Sequence, residues 1–114
     1  MKKPAKKPHQ KMSTAMLDRV AEQFKALAEP SRLLLMNLLF DGERTVGELV
    51  AGSGLSQANV SKQLGVLFRA GWVLRDKQGL SVICRIADER TFALCELMCN
   101  RVREQAAAAT ARLR

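Results

Sequence analysis

The sequence predicts a mainly α-helical chain with a β-hairpin wing, in the order α-α-α-α-β-β-α, which is a winged helix-turn-helix. Three stretches carry that prediction. Residues 45–71, TVGELVAGSGLSQANVSKQLGVLFRAG, read as a short helix, a glycine-containing turn and a longer helix with one polar face. After Gly71 the apolar repeat changes from helical spacing to alternation, the mark of a hairpin. From Glu89 to about Ala108 helical spacing returns, with more apolar surface than one small core uses.

Length and composition set the bounds. The 114 residues suffice for one domain with a modest core. Aromatic residues make up 4% and tyrosine is absent, which disfavours recognition of nucleic acid by base stacking. A net charge of +8 favours a polyanionic partner, DNA before RNA and RNA before an anionic membrane surface. The first eleven residues, however, hold five lysines (Lys2, Lys3, Lys6, Lys7, Lys11) and no acid, so much of the excess belongs to a tail. Residues 1–12, with Pro4 and Pro8 among the lysines, are expected to be a disordered basic arm that either lies along DNA or merely solubilises. Residues 13–110 are then expected to form one winged helix-turn-helix domain, assigned below to DNA binding and dimerisation, and 111–114 a frayed end. No apolar run approaches the roughly 18 residues of a membrane span. Three cysteines without an export signal point to reduced thiols in a cytoplasm.

The first helix is expected from Thr14, where Leu17, Val20, Ala21, Phe24, Leu27 and Ala28 repeat at helical spacing. Glu29-Pro30-Ser31-Arg32 starts a second helix, since proline fits a first helical position whose N–H has no partner. Leu33 to Phe40 is apolar nearly all round and should lie at the centre of the core. Thr45 and Glu48 have the spacing of a reciprocal cap and open the third helix. Gly52, Ser53 and Gly54 break it, and Ser56 caps the fourth.

On that fourth helix Val60, Leu64 and Leu67 form the buried stripe, which turns Ala58, Lys62, Gly65 and Arg69 outward, with Asn59 and Ser61 flanking and Gln57 at the exposed end. Amides and hydroxyls suit base edges, whereas Lys62 and Arg69 suit phosphates. In the hairpin, Trp72 and Leu74 are expected to share a face with Val82, Cys84 and Ile86, with Asp76-Lys77-Gln78-Gly79 as the turn and Arg75 and Lys77 near the tip of a wing. Asp88 caps the last helix. There Phe92, Cys95, Cys99 and Val102 make one apolar stripe and Leu94, Leu97 and Met98 a second, so one side is expected to meet a second copy of the chain.

This order, with the stretches LAEPSRLLLMNLL (27–39), TVGELVAGSGLSQANVSKQLGVLFRAGWV (45–73) and DKQGLSVICRIAD (76–88), resembles the ArsR/SmtB family of bacterial winged-helix repressors. The resemblance implies a homodimer paired through its first and last helices that binds a palindromic operator in double-stranded DNA until an inducer releases it. It implies a base-proximal set of Ser56, Gln57, Asn59, Ser61, Lys62 and Gln63, the last standing where many relatives have histidine. No cofactor is required. The family's zinc-type site on the last helix lacks its histidines here, because Arg90 follows Asp88 and His9 is the only histidine; the arsenic-type cysteine pair is replaced by Val50-Ala51.

Cys84, Cys95 and Cys99 remain as candidate inducer residues, and their metal is unknown. Residues four apart on a helix lie roughly 5–6 Å between Cβ atoms, so Cys95 and Cys99 could share a soft metal or metalloid, or an oxidant could link them through a reactive sulfur species. Equally, each sits where a small hydrophobe would pack. The alternative function is a winged-helix protein-protein or RNA-binding module with structural cysteines. Without a second histidine, a phosphate-cradling glycine loop or a Ser/His/Asp set, nothing in the sequence supports an enzyme.

Overall fold

The computed structural model describes residues 11–112. The chain runs through helices α1 (Thr14–Leu27), α2 (Pro30–Leu39), α3 (Val46–Ser53), α4 (Gln57–Arg69) and α5 (Arg90–Arg112) and a small antiparallel sheet of β1 (Arg44–Thr45), β2 (Val73–Gln78) and β3 (Ser81–Ile86), and α2, α3 and α4 pack on the sheet. The strand order is β1-β3-β2. The winged helix-turn-helix is therefore present. The expected arm lies outside the described residues except for Lys11 and Met12; so do the last two residues of the expected frayed end, and Ala111 and Arg112 are still helical.

The helix boundaries follow from their caps. Ser13 accepts from the Met16 N–H at 3.2 Å to start α1. The Glu29 carboxylate accepts from the Ser31 N–H at 3.0 and 3.1 Å ahead of Pro30, and this bond holds the carboxyl below its ordinary pKa. At α3 the reciprocal cap forms as its spacing predicts, with Glu48 N–H on Thr45 Oγ1 at 3.0 Å and Thr45 N–H on Glu48 Oε1 at 2.8 Å. Gly54 ends α3 at φ +75°, a conformation open to glycine and costly for other residues, and Ser56 then caps α4 through the Asn59 N–H at 3.1 Å.

The core is built from Leu35, Met36 and Leu39 of α2, Leu49 of α3, Val60, Leu64 and Leu67 of α4, Val73 of β2 and Cys84 of β3, all buried. Burying a leucine of this kind contributes about 1.5–3 kcal/mol, so these side chains hold α4 against α2 and α3. Two hydrogen bonds fasten α1 to the end of α4: Gln23 Nε2 donates to the Ala70 carbonyl at 2.9 Å, and Trp72 Nε1 donates to the Gln23 carbonyl at 3.2 Å.

Three expectations are corrected. First, β2 is turned over: Val73 pairs with Ile86, Arg75 with Cys84 and Lys77 with Val82, so Val73 and not Trp72 or Leu74 shares the inner face with Cys84. A shift of one residue exchanges the faces of a strand. Second, the turn is Gly79-Leu80, with Gly79 at φ +63°, rather than a turn over residues 76–79. Third, Arg44 and Thr45 pair with Cys84 and Ile83 as an edge strand that was not expected; two residues are too few to show alternation.

Helices α1 and α5 are different in kind. Ala26 and Leu27 are the only buried residues of α1 among those described, and Thr91 is the only one of α5. Leu17, Phe24, Phe92, Leu97, Met98 and Val102 are all about half exposed or more. One link from α5 back to the domain is an edge-to-face contact of Phe92 with Phe40, ring centroids 5.3 Å apart at 84°, and another is the buried Thr91. The helix also runs on to Arg112, beyond the expected end near Ala108.

Candidate nucleic-acid interface

The outer edge of α4 is fixed by the stripe it buries. With Val60, Leu64 and Leu67 inward, Ala58, Ser61 and Lys62 are exposed, as helical spacing predicts, and so are the cap Ser56 and Gln57 at the helix end. Gln57 and Ser61 border a groove that the hairpin lines through Arg75, Leu80 and Ser81 and the start of α3 through Thr45, Val46 and Gly47. A groove between a helix end rich in hydroxyl and amide groups and a basic hairpin suits a ribbon of phosphates beside base edges.

Gln63 does not belong to the exposed edge. It is 8% exposed and its amide is held on both sides, accepting from Arg32 Nη1 at 2.7 Å and donating to Asn59 Oδ1 at 3.0 Å. Asn59 is half-buried as a result. Gly65, expected outside, is covered by the Arg69 side chain: a Cβ there would lie 3.1 Å from Arg69 Nη1. Arg69 itself is exposed, and it borders a cleft shared with Glu22 and Lys25 of α1.

On the hairpin, Arg75 stands mid-strand and not near the tip, its guanidinium 3.9 Å above the Phe68 ring. That contact holds Arg75 over the last turn of α4. Lys77 is exposed closer to the turn, where Leu80 is fully exposed at the tip. On the opposite face Arg85 pairs with Asp76, which holds the two strands in register and takes both charges out of the groove.

The cysteines separate into two groups. Cys84 is fully buried in the core, where burial pushes its thiol pKa up while Arg75 pulls part of the way back. Cys95 and Cys99 instead line one shallow cleft between α5 and the end of α2, with Asn37, Phe40, Phe92, Glu96 and Arg103. Cys95 is half-buried and its thiol is also pushed up, by burial first and by Cys99 second; Cys99 is exposed. Cys84 therefore does not complete a three-thiol site in this fold. Among the described residues no three His, Cys, Asp or Glu side chains converge as a metal site. Sequence reasoning missed Arg32 as a determinant of α4, because its partner Gln63 lies thirty-one positions away.

Comparison with known proteins adds the lineage. The family described as bacterial regulatory protein, arsR family, matches residues 29–73. An uncharacterized HTH-type transcriptional regulator of Mycobacterium tuberculosis, Rv0081, is 47% identical over 68 residues, 59% of this chain and 60% of that protein, so the match spans less than two thirds of the regulator's length. Its crystal structure superposes with a TM-score of 0.69 at 36% identity, covering 90% of this chain and 100% of that one. The solution structure of the homodimeric winged helix-turn-helix DNA-binding domain of Mb0332 from Mycobacterium bovis, a possible ArsR-family regulator, gives a TM-score of 0.72 at 34% identity, covering 82% of this chain and 93% of that one. A probable mercury resistance operon repressor of Streptomyces lividans is 38% identical over 80 residues, 70% of this chain and 64% of that protein.

Proposed function

Because this chain belongs to the arsR family of bacterial regulatory proteins, a family of transcriptional regulators and not of enzymes, we propose that it is a cytoplasmic repressor that acts as a homodimer on a palindromic operator in double-stranded DNA. The observation that carries this is the exposed N-terminal edge of α4, Ser56, Gln57, Ser61 and Lys62, set beside the groove that Arg75 lines. Those residues and Asn59 face base edges and the nearest phosphates, while Lys77 and Arg69 meet the backbone on either side. Gln63 acts from behind them. The half-exposed apolar faces of α1 and α5 and the homodimeric Mb0332 domain support pairing through these helices. Two α4 helices about 34–36 Å apart would read half-sites one turn apart.

The inducer in this reading is a thiophile, a soft metal or metalloid or a reactive sulfur species, taken at Cys95 and Cys99. Support comes from their shared cleft and from the likeness to a probable mercury resistance operon repressor. The raised Cys95 pKa keeps that thiol protonated at neutral pH, so a metal must displace a proton to bind it, and binding should strengthen as pH rises.

A gel-shift titration on an inverted repeat from its own promoter region, at several salt concentrations, tests the first part. No preference for the repeat over random duplex defeats the specific-repressor reading. Operator release by arsenite, mercury and a persulfide donor, in wild type and in Cys95→Ala/Cys99→Ala, tests the second. A double variant that responds like wild type makes the cysteines packing residues.

A further inference from the structure

Arg32, near the start of α2, sets the polarity of a hydrogen-bond chain that ends on α4. Its Nε donates to the Ala26 carbonyl at 2.6 Å and its Nη1 to Gln63 Oε1 at 2.7 Å. Gln63 Nε2 in turn donates to Asn59 Oδ1 at 3.0 Å. An amide keeps its shape when turned end for end, so its neighbours decide which end points where. A guanidinium carries donors only, which obliges the Gln63 oxygen to face Arg32 and its NH2 group to face Asn59. Gln63 is nearly buried, so little water competes for that choice. The Asn59 oxygen is thus directed inward at Gln63, and its Nδ2 hydrogens are what remain for the outer side of the helix.

We propose that Asn59 reads the major groove as a donor only and therefore selects guanine over adenine at the base it faces. This rests on the reading that α4 enters the groove. An unconstrained asparagine bridges adenine, donating to N7 and accepting from N6. With its oxygen turned inward, Asn59 sets its own N–H donors against the adenine N6 donor. Guanine offers acceptors at both N7 and O6 and satisfies them. Arg32 and Gln63 are positioning residues for this contact and touch no base.

Selection of bound sites from a random duplex pool by the full chain tests the proposal. Wild type should enrich guanine at one position of each half-site, and Asn59→Ala should reduce that preference by about tenfold while the other positions keep theirs. Gln63→Glu is the sharper variant. The carboxylate still accepts from Arg32, so α2 and α4 remain tied, but it has no hydrogen to give Asn59. Asn59 then turns its NH2 group inward and its oxygen outward, and the preference should leave guanine for adenine or cytosine, whose N6 and N4 are donors. Guanine retained by Gln63→Glu overturns the proposal. So does an adenine preference in wild type that Asn59→Ala removes, or an Asn59→Ala loss that is uniform across sequences, which would place the contact on a phosphate. A pool from which wild type enriches no sequence at all overturns the groove reading itself, and this one with it.

Discussion

The unit made of α2, α3, α4 and the hairpin closes a core within one chain, whereas α1 and α5 leave theirs open. In the first, Leu35, Met36, Leu49, Val60, Leu64, Leu67 and Val73 are all within a few per cent of complete burial. In the second, Leu17, Phe24, Leu97 and Met98 stand in solvent at 49%, 53%, 70% and 57% exposure. Hydrophobic burial is the main favourable term in folding, so one part of the chain stabilises itself and the other waits for something to cover it. The two parts should also answer differently to concentration: the closed unit is indifferent to it, and the open helices gain stability by mass action if the cover is a second copy.

Breaking the closed unit gives the largest effect. Leu64→Ala removes a side chain that is 1% exposed, and unfolding in urea should show a loss of about 2–5 kcal/mol that does not depend on protein concentration. Leu97→Glu attacks the open helix instead. A carboxylate there is harmless to a single chain, but twofold symmetry buries it twice in a dimer, so sedimentation should show association weakened by roughly tenfold or more while the urea midpoint of dilute protein is unchanged. If Leu97→Glu leaves the assembly intact, the α5 face is covered by something other than its own copy. The smallest effect lies where the two parts join. Asp88, bonded to Arg90 through side chain and backbone, has its pKa lowered from 3.8 to about 2. A carboxyl with a lowered folded pKa stabilises the fold above its unfolded value and loses that contribution as pH falls from 3.8 toward 2. Unfolding followed against pH in wild type and Asp88→Asn should therefore converge at the acid end and separate slightly above it.

Much of this division was legible in the sequence. The Thr45 and Glu48 spacing specifies its own cap with no help from the rest of the chain, and the surplus apolar stripes of α5 announce an uncovered helix. Lys62 and Ser61 follow from the opposing stripe by angle, Gln57 from its place at the helix end and Ser56 from its role as the cap, whereas the same angle puts Gly65 outside, where Arg69 covers it. What escaped depends on contacts between distant segments. Gln63 looks like one more polar residue on a polar helix until Arg32, thirty-one residues earlier, takes its oxygen. Alternation assigns β2 the wrong face because Arg75 and Lys77, though exposed, lie on the same side as Val73, where Arg75 meets the Phe68 ring. Polarity alternation carries no sign when only the first residue of a strand reaches the core and the others on its face are cationic.

The fastening of α1 has a mechanical consequence. Among the described residues, the side-chain bonds that hold this helix to the rest of the chain lie in its final turns: Gln23 with Ala70 and Trp72, and the Lys25 and Ala26 carbonyls with Arg32, beside the buried Leu27. The preceding turns, from Thr14 to about Glu22, project for roughly 12 Å at 1.5 Å per residue. A rod clamped at one end and loaded along its free length is a lever, and its fulcrum here is the carbonyl that ends α4. A push of about 1 Å on the free turns would tilt the clamp by about 5° and reach Arg32, whose other bonds hold Gln63.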